Sequence, residues 1–468
     1  QLGRMLWKLS SAEELETLIF TVVDQLHRGA CLMKDHDEKV HFAKLCLMAG
    51  KKASTISAFL PASRYLNFGI SLLGEADWEC HRDLCLDLYS SASEAYYVLG
   101  DYASMEGHLE LVFKKALSLG EKLRAYSTLI TSLGVRQNTR AALNTANEVI
   151  GQLGEYLPLL PTSHLARLEV LKTQKLLDDW EAFSVDEMKT MQCADKLMVM
   201  KFLSLLSRFT FTDEQAFFAL VTCRIVQLTL SHGICKESAV GFASFAAILC
   251  ATGNVDYGYR LGKLASSTLG KFPSKDCHIS VHIAIYGFVN VWIEPMQSLL
   301  PFYKNSIEEG MQYGDTDDAM TIAHLYITSA LYSGVVLGPF LEKMRAYSKQ
   351  MLEHSPLMNT LTKPMLQFTL NLLGRSANPI KLIGEEMNED TMLTNAEEGG
   401  DSFLGSSIYM HRMWLEYLFG EYELAAKTGK RHQPIMEARM MGPRKYCTHV
   451  FYSGLAALAL ARKEGTQE

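Results

Sequence analysis

The stretch Gly100-Asp101-Tyr102-Ala103-Ser104-Met105, followed by an amphipathic run to Leu117, decides the fold class of this chain. Glycine can adopt the left-handed conformation that ends a helix, and an aspartate directly after it can cap the next helix and favour its N-terminal dipole. From Met105 to Leu117 the apolar residues recur with the 3.6-residue period of a helix. The stretch therefore predicts the turn of a helical hairpin.

Similar junctions recur later in the chain, each with a glycine, an acidic or amide residue, and a helical run. They are Gly253-Asn254-Val255-Asp256-Tyr257-Gly258, Gly314-Asp315-Thr316-Asp317-Asp318-Ala319 and Gly420-Glu421-Tyr422-Glu423-Leu424-Ala425. A small residue five positions after the glycine lets the second helix pack closely, except at Met105. Gly50 and Ala53 are assigned to a further repeat turn.

The helical period dominates the rest of the chain, and no series of alternating strands is found. The glycine junctions are unequally spaced, which departs from the uniform period of about 34 residues in tetratricopeptide repeats. The sequence therefore predicts an all-α fold, a tetratricopeptide-like α-solenoid of degenerate helical hairpins.

The composition excludes several classes of protein. The chain has 468 residues, 48% of them hydrophobic, with 32 glycines and 12 prolines, which excludes wholesale disorder and collagen-like architecture. The net charge of −7 lacks the basic footprint of a nucleic-acid or anionic-membrane binder. The uncharged runs 238–255 and 277–293 do not form clean apolar spans of about 20 residues. The ten cysteines are scattered without a CxxC pair, which favours free thiols in a reducing compartment and a cytoplasmic location.

The motifs of common catalytic sites are absent from the sequence. There is no GxxxxGK[ST] phosphate loop, GxGxxG, GxSxG, HExxH or kinase catalytic-loop pattern, so we predict no catalytic and no cofactor-binding residues. His278 and His282 are four residues apart beside Cys277 and would share one helix face. No third ligand can be identified from the sequence, so core or interface histidines are predicted and no metal site.

Two further clusters have alternative interpretations. Asp315, Asp317 and Asp318 resemble the Mg²⁺-binding aspartates of helical isoprenoid synthases, but they do not form DDxxD, and Asp315 fits better as a helix cap. Lys51 and Lys52, with nearby Arg64, could line a carboxylate clamp, although cations at helix ends are usually solvated. Trp78 is predicted to be a core anchor.

Several strings together resemble one known family. They are Leu45-Cys46-Leu47-Met48-Ala49-Gly50-Lys51-Lys52-Ala53 with Trp78 and Gly100-Asp101, Asn371-Leu372-Leu373-Gly374 with Leu382-Ile383-Gly384-Glu385 and Met387-Asn388-Glu389, and Phe451-Tyr452-Ser453-Gly454-Leu455-Ala456-Ala457-Leu458. These strings resemble the tetratricopeptide-like helical region of large signalling proteins built on a predicted AAA/STAND-type ATPase. In that family a protein-kinase-like domain often precedes the ATPase, and sensor or histidine-kinase modules often follow the helical region.

The resemblance and the punctuation of the chain together predict five segments. Residues 1–30 would be junction helices that follow an upstream ATPase domain, 31–157 N-terminal repeats, and 158–374 central repeats. Residues 375–404 would be an acidic irregular loop, solvated or docking a basic partner, and 405–468 C-terminal repeats.

Three functional hypotheses remain open from the sequence. The leading one is a non-catalytic regulatory or protein-interaction arm of a larger ATPase or kinase signalling protein, whose partner is another protein or its own ATPase domain. The second is a free-standing helical-repeat adaptor. The third is a helical enzyme whose site is not visible in the sequence. No cofactor is expected, and the oligomeric state is left open.

Overall fold

The computed structural model describes residues 2–136, 138–158, 160–180, 185–211, 214–272, 275–399, 401–438 and 443–465. Over these residues the regular elements are all helical, and strand-type pairing is limited to two isolated bridges. The all-α prediction is therefore confirmed. Gln1 and Gly400, which the predicted segments include, lie outside the described residues.

The chain forms two compact units, residues 1–156 and 157–468. The helices of the first unit are α1 (Leu2–Leu9), α2 (Ala12–Arg28), α3 (His36–Thr55), α4 (Phe59–Ser71), α5 (Asp77–Cys80), α6 (Arg82–Val98), α7 (Tyr102–Lys115), α8 (Leu119–Val135) and α9 (Thr139–Gln152).

The second unit contains the remaining helices. They are α10 (Ser163–Asp178), α11 (Ala194–Thr210), α12 (Gln215–His232), α13 (Ser238–Ala251), α14 (Val255–Lys271), α15 (Lys275–Ala284), α16 (Met296–Tyr313), α17 (Thr316–Tyr332), α18 (Leu337–His354), α19 (Pro356–Leu372), α20 (Glu389–Gly399), α21 (Ser402–Leu418), α22 (Tyr422–Ala438) and α23 (Pro443–Gly465). A short π-helical stretch, Ile285–Val289, follows α15.

Within each unit the helices pack mainly against those one or two places before and after them in the chain. This nearest-neighbour order is the packing of a helical solenoid, in which each hairpin buries its apolar face against the next. The predicted α-solenoid of helical hairpins is therefore confirmed. Most of the uncharged run 238–255, considered above as a possible membrane span, is helix α13, and nearly all residues of that helix are buried inside the second unit.

The glycines of the four junctions lie between consecutive helices. Gly100, Gly253, Gly314 and Gly420 all have a positive φ, between 74° and 96°. A residue with a Cβ rarely adopts this backbone, which explains why glycine stands at each helix end. Asp101 caps α7 through its side chain, which accepts a hydrogen bond from the Ser104 N–H at 3.1 Å.

Two assignments at these turns need correction. Gly50 and Ala53 do not form a turn, because both lie inside α3 and are buried. A Cβ on Gly50 would come within 2.5 Å of the Leu66 side chain, so this glycine permits close contact between α3 and α4. Asp315 stands at the N-terminus of α17, but its side chain makes no capping hydrogen bond and binds Arg208 instead.

The structure differs from the predicted segments after residue 374, and its two compact units divide between Tyr156 and Leu157. Residues 375–404 are not a solvated irregular loop, because α20 occupies much of this segment. The Asn371 side chain binds three backbone carbonyls, those of Asn378, Pro379 and Lys381, and Leu382 is fully buried. The predicted boundary at 404/405 falls inside α21.

Gly258, the small residue five positions after Gly253, sets the distance between helices α13 and α14. A Cβ on Gly258 would lie 2.5 Å from the Cys250 sulfur and 2.8 Å from the Ala246 carbonyl oxygen. We therefore expect Gly258→Ala to lower the free energy of unfolding by about 1–3 kcal/mol, since overpacking forces the two helices apart. Gly270→Ala on the same helix is the matched control, because that position is open, and a gain of up to about 1 kcal/mol is expected from helix propensity. Urea denaturation of both variants measures the difference, and equal effects would contradict the close-packing argument.

Candidate functional site

The first and last described helices expose apolar side chains. On α1, Leu2, Met5 and Leu9 share one face, and Leu9 is 78% exposed. On α23, Tyr446, Val450 and Leu458 recur at intervals of four and eight residues, and Leu458 is 62% exposed. The end repeats of a free-standing solenoid normally have a polar outer face. These two faces therefore have the character of contact surfaces.

The three aspartates after Gly314 form ion pairs with an arginine side chain from another helix. Arg208 on α11 lies 2.9 Å from Asp315 and 2.9 Å from Asp318, and 4.0 Å from Asp317. Asp318 is almost fully buried and also accepts a hydrogen bond from Ser280 at 3.0 Å. Burial raises the pKa of Asp318, and Arg208 opposes that shift. The cluster is thus built as an ion-pair network that joins α11 to α17, which the aspartate spacing alone could not indicate.

His278 and His282 do share one face of α15, as the spacing predicts, and their ring centroids are 4.2 Å apart. The structure adds Glu309 from α16, whose Oε2 lies 3.0 Å from Nε2 of His278. One ligand atom from each of the three residues falls within 4.8 Å of the others. Sequence reasoning missed Glu309 because it lies on the next helix, where only the register of the hairpin brings it to the histidines.

A second residue of α16 orients this cluster. Ser306 is buried, and its hydroxyl lies 2.7 Å from Nδ1 of His282. This contact leaves Nε2 of the same ring for another partner. Burial lowers the pKa of His282 to about 4, and the neighbouring His278 adds to that shift. His282 is therefore a neutral imidazole near pH 7.

The interior of the second unit contains a further group of titratable side chains. Arg444 at the start of α23 donates to the Tyr303 and Ser329 hydroxyls, at 3.4 and 3.2 Å, and to the Gly287 carbonyl at 3.1 Å. Those hydrogen bonds tie the last helix to the π-helical stretch and to α16 and α17. Burial also lowers the pKa of Lys445 to about 8.

Three histidines lie near these two cations. His324 contacts the Thr362 hydroxyl at 2.9 Å, His411 contacts the Ser407 carbonyl at 2.7 Å, and His432 contacts the Ser406 hydroxyl at 2.8 Å. Burial is the largest cause of a lowered pKa in each, to about 3, 4 and 3 respectively, and Lys445 contributes to all three shifts. Protonation of these three histidines is therefore unfavourable in the folded protein.

Lys51, Lys52 and Trp78, also singled out from the sequence, have intramolecular partners. Lys51 pairs with Asp87 at 2.9 Å, and Lys52 donates to the Glu16 carbonyl and lies over the Phe20 ring. These contacts are those of structural cations rather than of a carboxylate clamp. Trp78 on α5 is buried, and its ring centroid lies 5.2 Å from that of Tyr89.

No helix in the described part of the chain combines the length and the hydropathy needed to cross a bilayer. No protein-family model matches the chain. A curated relative, the hybrid signal transduction histidine kinase G of Dictyostelium discoideum, is 21% identical over an aligned length of 393 residues, and the match covers 76% of this chain and 11% of the relative. The chain therefore spans only about a tenth of that protein's length.

The chain is also similar to a solved structure. It is described as a circular tandem repeat protein with novel repeat topology and enhanced subunit contact surfaces. It covers 99% of this chain and 98% of its own, at 13% sequence identity and a TM-score of 0.15.

Proposed function

We propose that this chain is a non-catalytic regulatory or protein-interaction arm of a larger ATPase or kinase signalling protein. The observation that carries the proposal is the exposed apolar face on each of α1 and α23. A solenoid that acts alone needs polar caps, whereas an arm packs its end helices against flanking domains. Those domains, including an ATPase domain of the same parent protein, are the proposed partners.

The likeness to the hybrid histidine kinase supports the same proposal. It relates most of this chain to a small part of a signalling protein. The ten free cysteines, including several fully buried ones, fit a reducing compartment and support a cytoplasmic location. Attachment to an AAA/STAND-type ATPase is the finer part of the proposal and rests on the resemblance of the strings quoted above.

The proposal is tested by reading the transcript from its 5′ end to the initiator codon. A strand, a GxxxxGK[ST] loop and a helix encoded upstream of Gln1 would support the arm of an ATPase. A reading frame that opens within a few codons of Gln1 would overturn it in favour of the free-standing adaptor.

The exposed face of α23 gives a biochemical prediction. We expect the isolated chain to self-associate through this face, and the double variant Val450→Lys/Leu458→Lys to be monomeric at the same concentration, because two charges remove the apolar stripe. Light scattering after size-exclusion chromatography measures the change. Leu352→Lys on α18 is the matched control, since Leu352 is 63% exposed but outside the stripe. Association that survives the double variant, or is lost in the control, would contradict the role given to α23.

A further inference from the structure

We propose that His278, His282 and Glu309 form a binding site for a transition-metal ion of the zinc class. Zn²⁺ is bound in proteins by imidazole nitrogen and carboxylate oxygen, and the three residues supply two of the first and one of the second. Histidines at positions i and i+4 of a helix present their rings on one face, which is a frequent arrangement of zinc ligands. The site goes beyond the proposed function and does not depend on it.

The distances are compatible with coordination after small side-chain movements. Ligand atoms about 2.0–2.1 Å from a tetrahedral ion are roughly 3.4 Å apart. The atoms here lie within 4.8 Å of one another, and the His278–Glu309 pair is already at 3.0 Å. Coordination therefore requires side-chain rotations that bring the ligand atoms closer together.

Ser306 provides the outer-shell contact that metal-binding histidines usually have. Such a histidine directs one ring nitrogen to the ion and donates the other N–H to an oxygen, which fixes the tautomer and the ring orientation. The Ser306 hydroxyl, 2.7 Å from Nδ1 of His282, is placed to accept that hydrogen bond. Ser306 and Glu309 come from adjacent turns of α16, so one helix supplies both the carboxylate ligand and the orienting group.

Two of the three side chains in the cluster are accessible to solvent. The side chains of His278 and Glu309 are 29% and 37% exposed. An ion can therefore enter without unfolding of the hairpin. Three protein ligands also leave the fourth tetrahedral position for water or for a donor from a partner. A bound ion would link α15 to α16 next to the π-helical stretch.

The test is a titration of the metal-free chain with Co²⁺, whose visible absorption reports coordination. We expect one equivalent to bind with the intense spectrum of a tetrahedral site. His278→Gln and Glu309→Gln should abolish this spectrum. Glu308→Gln, which removes the neighbouring exposed carboxylate, and His354→Gln, which removes an exposed histidine on α18, should retain it.

Ser306→Ala tests the orienting contact separately. A loss of about 10–100-fold in Co²⁺ affinity is expected, the range found for outer-shell partners. Zn²⁺ should also raise the thermal midpoint of the wild-type chain and not that of Glu309→Gln, which shows binding to the folded state. Absence of saturable binding, or a spectrum that survives both His278→Gln and Glu309→Gln, would overturn the proposal and leave a structural His278–Glu309 pair.

Discussion

Between pH 7 and pH 5 we expect the second unit to lose roughly 6 kcal/mol of its free energy of unfolding through three buried histidines. Burial lowers the pKa of His324, His411 and His432 to about 3, 4 and 3. In the unfolded chain each would titrate near its ordinary value of about 6.5. The loss is comparable to the whole stability of a typical domain, about 5–15 kcal/mol.

The sign follows from which state binds protons first. As the pH falls below about 6.5, the three histidines bind protons in the unfolded chain but not in the folded core, so the unfolded state becomes relatively more stable. Above that pH the three histidines cost no stability, and the penalty grows as the pH falls toward their folded-state pKa values. Each costs at most about 1.4 kcal/mol per pH unit, a slope reached well below pH 6.5. Between pH 7 and pH 5 the average is about 1 kcal/mol per pH unit for each, so the three together cost about 3 kcal/mol per pH unit.

Other charged groups in the same core reinforce the effect. Lys445 faces all three histidines. Arg444 also faces His324, and His449 also faces His432. Each of these groups is cationic or becomes so in acid, and a second positive charge in the same interior would be repelled. Asp401 is the carboxylate that acts on Lys445.

The substitution His411→Leu tests whether His411 is one of the groups that cause this pH dependence. The Nε2 atom of His411 has no hydrogen-bond partner among the described residues, and its ring lies among Phe368, Tyr332 and Trp414, so an apolar side chain suits the position. Urea denaturation at half-unit pH steps should show a slope smaller by up to about 1.4 kcal/mol per pH unit. His354→Gln, in an exposed position, should leave the slope unchanged. An unchanged slope in His411→Leu would exclude this ring as a source.

The general fold could be predicted because it depends on local signals. The helical period and the Gly-Asp junction at Gly100 are set within a few residues, and the structure places a helix end there. The same reasoning failed at Gly50, because a glycine that ends a helix and a glycine that permits close helix packing look alike in a sequence. Leu66, sixteen residues away, decides between the two.

The candidate sites were less predictable because they depend on the register of different helices. The i, i+4 spacing of His278 and His282 is local, but Glu309 joins them only through the packing of α15 on α16. The 375–404 segment shows the same limit: its acidic composition suggests a solvated loop, yet Glu389 is fully buried and pairs with Arg412 on α21 at 3.1 Å. Composition describes a segment by itself and carries no information about a cation elsewhere in the chain.

Arg208→Met should lower the free energy of unfolding by about 3–5 kcal/mol, the largest effect we expect from a single substitution. Arg208 lies 2.9 Å from both Asp315 and Asp318, and only 5% of the Asp318 side chain is exposed. Removing one partner of a buried ion pair leaves the other charge uncompensated, and that desolvation accounts for the loss. The exposed cluster of Arg345 with Glu342, Glu385 and Glu386 provides the matched control, since Arg345→Met removes a similar cation at a cost of about 1 kcal/mol or less.

A second substitution separates the buried charge from the packing of Arg208. Asp318→Asn keeps an oxygen that can accept the Ser280 hydrogen bond but removes the charge, so the double variant Arg208→Met/Asp318→Asn should recover most of the loss. The pH dependence has the opposite sign to that of the histidines: because the folded pKa of Asp318 is raised, acid neutralises its carboxylate, so the cost of Arg208→Met relative to wild type should shrink as the pH falls. Urea denaturation of the four combinations at pH 7.5 and 6 measures both effects. If the double variant is as unstable as Arg208→Met, the loss comes from the missing arginine side chain and not from the charge of Asp318.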